Sequence, residues 1–293
     1  MLRFPPAIAA VMLCAYAQLP AAAQQPRDLI LATTTSTQDS GLLDSLLPVF
    51  FERTRVRVKV IAVGTGAALE MARRGDADAV LVHAPGAERK YVAAGDLVEG
   101  RLVMHNDFLL VGPAADPAGI RGLVDPARAL ARIARAGRFI ARGDGSGTEK
   151  KELELWKQAG IDPATVAHRE ETGQGMGATL LVAEQRQGYT LTDRATYLAL
   201  GERLTLVPLV EGAPSLLNVY HAYVVNPTRH PDVRLREARA FVAFMVAPAT
   251  QRLIGDFGRA RFGQPLFHPD AGKDEAGLGR PGSARERSGA GVR

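Results

Sequence analysis

The stretch "LILATTTSTQDSGLLDSLLPVF", residues 29–50, sets a short apolar run against five consecutive hydroxyl side chains, Thr33 to Thr37, and then an apolar pattern of helical period. A strand followed by a polar junction and a helix is one βα unit, and the pattern recurs along the chain. The readable pairs are Leu29 to Ala32 then 41–53, Val56 to Val63 then 66–74, and Ala79 to Val82 then 86–94. A second series runs Phe139 to Ala141 then 147–159, Val166 to Glu170 then 175–187, and Tyr189 to Leu191 then 193–200. Between and after the two series lie the longer extended stretches "RLVMHNDFLLVGP" and "LLNVYHAYVVNP", each long enough to run from one sheet into the next. The expectation is an α/β fold of two lobes crossed twice by the chain. Lobe one holds 24–107 plus 220–270 and lobe two holds 108–219, with a ligand cleft between them where strands end and helices begin.

The 293 residues, 46% of them hydrophobic, suit one large or two ordinary domains. Residues 1–23 read as a secretory signal: Arg3 precedes an apolar, small-residue run that closes on Ala21-Ala22-Ala23. Cys14, the only cysteine, falls inside that signal, which leaves the remaining chain without a disulfide or a cysteine-held metal. Residues 271–293 are glycine, serine, alanine and charge without apolar period and read as a disordered tail. The formal charge of +5 falls to about +2 in the body once the tail's net +2 and Arg3 are set aside. Basic residues are scattered and aromatics are 6%, so a nucleic-acid partner, which needs a dense basic stripe, is not expected.

Four junctions share a chemistry: "TTTSTQDSG", "VGTGAALE", "ARGDGSGTEKKE" and "EETGQGMGATL". Each places glycines or small hydroxyls at a helix start, where free backbone N–H groups and the positive dipole end favour an anion. Ser36-x-x-Asp39 and Ser146-x-x-Glu149 also fit capping boxes, a purely structural use of the same residues. Arg142 follows a strand directly and stands beside Gly145 and Gly147, so a permanent cation with a planar donor fork meets an approachable backbone. Asp144 could orient Arg142 or accept a proton from a protonated ligand. Gly173 to Ala178 matches the form of a dinucleotide fingerprint, but no second half-fold or hydride-transfer pair accompanies it. The six histidines have no metal-ligand spacing, and His83 and His221 read as packed, hydrogen-bonded side chains. No catalytic constellation stands out, so binding is expected rather than turnover, with no cofactor.

The blocks "TTTSTQDSGLL", "DAVLVHAPGAE", "HNDFLLVGPAADPAGI", "RGDGSGTEKKELELW", "ETGQGMGATL" and "YTLTDRATYLAL", in this order, resemble the tungstate-binding periplasmic component of ABC transporters, the TupA type. The resemblance implies a type II two-lobed periplasmic binding protein fold, a tetrahedral oxyanion as ligand and a membrane permease as partner, with the protein acting as a periplasmic monomer. It assigns ligand contacts to Thr33, Thr34, Thr35 and Ser36 and to Arg142, Ser146, Gly147 and Thr148; Thr65 is added from the Gly-Thr-Gly junction. Tungstate is the expected ligand, with phosphate and molybdate as alternatives and a secreted nucleotide-dependent enzyme as a more distant one. Two positions depart from the family pattern: Glu149 replaces the usual His, and His105 replaces the usual Tyr.

Overall fold

The computed structural model describes residues 28–278; the leader read at 1–23 and the chain beyond 278 lie outside the described residues. In chain order the strands are β1 (Leu29–Thr34), β2 (Val58–Val63), β3 (Ala79–Val82), β4 (Leu97–Gly112), β5 (Phe139–Ala141), β6 (Arg169–Glu171), β7 (Thr190–Asp193), β8 (Val207–Val210), β9 (Leu217–Val225) and β10 (His268–Pro269). The helices are α1 (Thr35–Asp39), α2 (Leu42–Thr54), α3 (Thr65–Arg74), α4 (Pro85–Ala93), α5 (Pro126–Ala136), α6 (Gly147–Gln158), α7 (Met176–Arg186), α8 (Arg194–Leu200), α9 (Leu235–Val246), α10 (Pro248–Asp256) and α11 (Arg259–Phe262).

The sheet runs β10-β4-β9-β3-β1-β2, with β1 parallel to β2 and β3, and β9 antiparallel to β3 and β4. The sixteen residues of β4 do two jobs. Leu97 to Asp107 pair with β9, whereas Phe108 to Gly112 pair antiparallel with β7 and β8, so one strand passes from the first set of strands into the second. β5 and β6 pair in parallel beside Tyr189 at the start of β7. The apolar core divides in the same way. Two clusters are built from residues 29–104 and 220–267, joined by Ala195, and two from residues 108–216. In the first group, Leu42, Leu43, Leu46 and Phe50 of α2 recur at helical spacing and pack with Leu29 and Leu31 of β1 and Phe241 of α9. In the second, Trp156 stands edge-on to Phe139 with ring centroids 5.4 Å apart.

Most elements start and stop within two residues of the sequence reading, but three differ in ways that matter. β1 extends through Thr34, and a short helix α1 takes Thr35–Asp39, so the hydroxyl run is split between strand and helix. β6 starts at Arg169, not Val166, because Pro163–Thr165 form a 3-10 turn capped by Asp162. The supposed tail is placed as far as Leu278: Ala271 N–H donates to Gln251 Oε1 at 3.0 Å and Glu275 lies 3.3 Å from His221.

Six strand ends deliver the chain into helix starts: β1 into α1, β2 into α3, β3 into α4, β5 into α6, β6 into α7 and β7 into α8. The carboxyl ends of parallel strands and the amino ends of helices therefore gather the free amides of both halves.

Candidate functional site

The wall from the first half begins with the hydroxyl run. Thr33 is fully buried and donates to Leu81 O at 2.7 Å, so its hydroxyl is held within the sheet and is turned away from the cleft, contrary to the sequence expectation. Thr34 caps α1: its Oγ1 accepts from Thr37 N–H at 3.2 Å and lies 2.9 Å from His83 Nε2 and 2.7 Å from Thr37 Oγ1. Thr35 is exposed and Ser36 half-buried, and both face a cavity of about 870 Å³. Thr65 opens α3 after Gly64; it is 0% exposed, and among the described residues its Oγ1 has no hydrogen-bond partner.

His83, at the end of β3, is fixed by a relay. Asn218 Nδ2 donates to Asn106 Oδ1 at 2.7 Å, which turns Asn218 Oδ1 toward His83 Nδ1 at 2.7 Å. Nδ1 therefore carries the proton and Nε2 accepts from the Thr34 hydroxyl. Burial pushes the His83 pKa down to about 4; the bond to Asn218 opposes this, and the charges of Lys150 and Arg142 reinforce it. The ring is neutral at pH 7.

The opposing wall starts where β5 ends. Arg142 is 4% exposed; its Nη2 donates to Asp144 Oδ2, its Nη1 to Thr148 Oγ1 at 3.4 Å and its Nε to Gln174 O at 3.4 Å. Asp144 Oδ1 accepts from Ser146 N–H at 3.1 Å, so both carboxylate oxygens are engaged. Ser146 caps α6 by accepting from Glu149 N–H at 3.2 Å, and the Glu149 carboxylate reaches back to Gly145 N–H. This is a capping box displaced by one residue, and it holds the Glu149 carboxylate against the backbone just before the start of α6. Gly145, with φ 71°, occupies the left-handed region that the turn requires. The first amides of α6 and of α7, which follows Gly175 without a side-chain cap, have no intrahelical acceptor.

The two walls touch. A Cβ on Gly147 would lie 2.6 Å from His83 Cε1 and 3.3 Å from Thr65 Oγ1; one on Gly66 would lie 3.5 Å from Lys150 Nζ. Only glycine fits at 147. A second cavity of about 370 Å³ is lined among others by His83, Gly147, Lys150 and Asn218. Thr34, Ser36, Thr65, Arg142, Ser146, Gly147 and Thr148 thus gather at one junction, Thr35 lines its larger cavity, and Thr33 does not take part. His83, Asn218, Lys150 and the start of α7 also belong to it; only the last had a sequence signal, the glycines of "GQGMGA". Among the described residues no group of three or more His, Asp or Glu side chains is arranged to hold a metal ion.

A family described as a PBP superfamily domain matches residues 19–249. A putative ABC transporter anion-binding protein of Haloferax volcanii is 49% identical over 251 residues, 84% of this chain and 72% of that protein. The tungstate-binding protein TupA of Peptoclostridium acidaminophilum is 44% identical over 280 residues, covering 91% of this chain and 98% of that one. The solved tungstate-binding protein TupA from Desulfovibrio alaskensis G20 superposes with a TM-score of 0.75 at 46% identity, over 83% of this chain and 98% of that chain. With this fold, and with 44% identity over 91% of its length to a curated member, the chain belongs to the PBP superfamily and, within it, to the TupA family.

Proposed function

We propose that the protein captures a tetrahedral oxyanion, tungstate in the first place, in the periplasm and delivers it as a monomer to the permease of an ABC transporter. The observation that carries this reading is the Thr65 hydroxyl: fully buried, without a partner, and placed where the first turn of α3 meets the first turn of α6. A buried hydroxyl without a partner costs about 1–3 kcal/mol, and an oxygen-rich anion at the junction would relieve it. The open amides of α3, α6 and α7, the hydroxyls of Ser36 and Thr148 and the guanidinium of Arg142 complete a set of donors around that point. The division of the core supports lobes at 24–107 with 220–270 and at 108–219, which would close over the ion. Binding shifts the balance between open and closed forms by its difference in affinity for them. Among the described residues no helix is long and apolar enough to cross a membrane.

The acceptors near the junction bear on which anion is preferred. Asp144 is engaged by Arg142 and Ser146, Asp193 by Thr196, and His83 Nε2 by Thr34. Hydrogen phosphate would bring a proton for which the carboxylates of Asp144 and Asp193 are already engaged, so it gains less here than an unprotonated dianion does. Tungstate and molybdate, both unprotonated tetrahedral dianions, bring none. The test is calorimetric titration of the purified protein with tungstate, molybdate, sulfate and phosphate, repeated on Arg142→Ala. Tungstate is expected to bind more tightly than phosphate and to lose roughly 30-fold or more in the variant. Phosphate binding the tighter of the two would sink the reading.

A further inference from the structure

Lys150 lies in the first turns of α6, half-buried, with its ammonium reaching the first turn of α3 beside Gly66. Among the described residues it makes neither an ion pair nor a hydrogen bond. Its neighbours differ: Lys151 pairs with Glu154 at 3.0 Å, and the carboxylate of Glu149 is occupied with Gly145 N–H. The surroundings of Lys150 are unfavourable for a cation. The start of α3 is the positive end of a helix dipole, and Arg142 and Lys150 both act on His83, which places their charges at the same junction. Burial lowers the pKa of the lysine, and the charge of Glu149 opposes that shift only in part. Thr65, buried in the same turn of α3 and unpartnered among the described residues, is an independent sign that the junction suits a polar guest.

We propose that Lys150 is a further ligand-binding residue, which supplies the second positive charge opposite a dianion and makes closure of α6 on α3 conditional on that dianion. This rests on the oxyanion reading above. In the ligand-free protein, Lys150 and Arg142, the latter partly offset by Asp144, face the positive start of α3 from one wall, and this repulsion favours separation of the walls. A dianion between them reverses the sign of the interaction, whereas a monoanion offsets only one of the two cations. Lys150 therefore serves both affinity and discrimination by charge.

The experiment uses sodium tungstate with the parent, Lys150→Met and Lys150→Arg. Calorimetry at several sodium chloride concentrations gives affinity and its salt dependence, small-angle scattering gives the radius of gyration, and thermal melting verifies folding. Lys150→Met is expected to bind about 30-fold more weakly with a shallower salt dependence, and Lys150→Arg to stay within about threefold of the parent. Ligand-free Lys150→Met is expected to be more compact than the ligand-free parent. If Lys150→Met keeps the parent's affinity and salt dependence, or if the arginine variant is as weak as the methionine one, the ligand contact is overturned. Equal radii for the two ligand-free proteins overturn the conditional closure. A parent that binds tungstate while these differences are absent refutes Lys150 alone; a parent that binds none of the four oxyanions refutes the proposed function.

Discussion

Replacing Thr65 by Val separates ligand binding from structure, because the two effects have opposite signs. Valine has the shape of threonine with a methyl in place of the hydroxyl, so the fully buried site keeps its packing and loses one polar atom that has no partner. Removing an unsatisfied buried hydroxyl is worth about 1–2 kcal/mol to the ligand-free closed form. For an ordered chain of this length each kcal/mol moves the melting temperature by roughly 2–4 °C, so ligand-free Thr65→Val should melt no lower than the parent and up to a few degrees higher. The ligand loses a donor aimed at a charged oxygen, worth about 1.5–3 kcal/mol, which is roughly 10- to 150-fold in affinity. Differential scanning calorimetry with and without tungstate reads both quantities, since the ligand-induced rise in melting temperature shrinks as affinity falls. Unchanged affinity would refute the placement of Thr65 against the ligand. A lower melting temperature for the ligand-free variant would show that the hydroxyl has a structural partner after all.

Thr33→Val should leave tungstate affinity unchanged while lowering stability by about 1 kcal/mol, since it removes only the bond to Leu81 O; titration and urea denaturation test the two halves. Gly147→Ala puts a methyl 2.6 Å from the His83 ring, which Asn218 and Thr34 hold in place, so the walls must part and affinity should fall by about 30-fold or more with the melting temperature little changed; parent-like affinity would contradict the contact. The His83 pKa of about 4 in the fold, against 6.5 ordinarily, means that below pH 6.5 the unfolded chain takes up a proton that the folded chain refuses. Stability from this group is therefore lost as pH falls from 6.5 to about 4, by about 3 kcal/mol in all. Glu152, pushed up to about 7 by burial, acts with the opposite sign over an overlapping window, so the measurement is the difference in unfolding free energy between the parent and His83→Gln. That difference should move against the parent on acidification; a constant difference would show that His83 is not held neutral.

The fold was legible because its signals are local. β-branched runs, glycine-rich junctions and capping residues each lie within one βα unit, and the long run 101–113 could be read as a crossover from its length alone. The gathering of Arg142, Ser146, Gly147 and Thr148 was legible for the same reason, since one turn of chain holds all four. What could not be read depends on partners distant in sequence. Thr33 faces Leu81 only because β1 pairs with β3 in a particular register. His83 looked like a packed histidine and is one, but its proton is placed by Asn218, 135 residues away, which is in turn set by Asn106. Lys150 stands in a sequence crowded with Lys and Glu, where its lack of a partner shows only after the neighbours have paired.

The division of the hydroxyl run explains why a family site would carry so many. Thr33 is committed to the sheet, and Thr34 gives its proton to His83 while accepting from the amide of Thr37 and lying 2.7 Å from the Thr37 hydroxyl. Thr35 and Ser36 remain to face the cavity. On the other wall Thr148 Oγ1 accepts from Arg142 Nη1, which leaves its own proton free to point elsewhere. Thr34 and Thr148 spend acceptor capacity within their own walls, whereas among the described residues Thr65 has neither its proton nor its lone pairs engaged. A site organised in this way offers a guest hydroxyl and amide protons beside the Arg142 guanidinium, which suits an oxygen-rich anion. Capping accounts for the Thr34 and Ser146 hydroxyls taken singly; the buried Thr65 hydroxyl, without a partner among the described residues, is what capping does not account for.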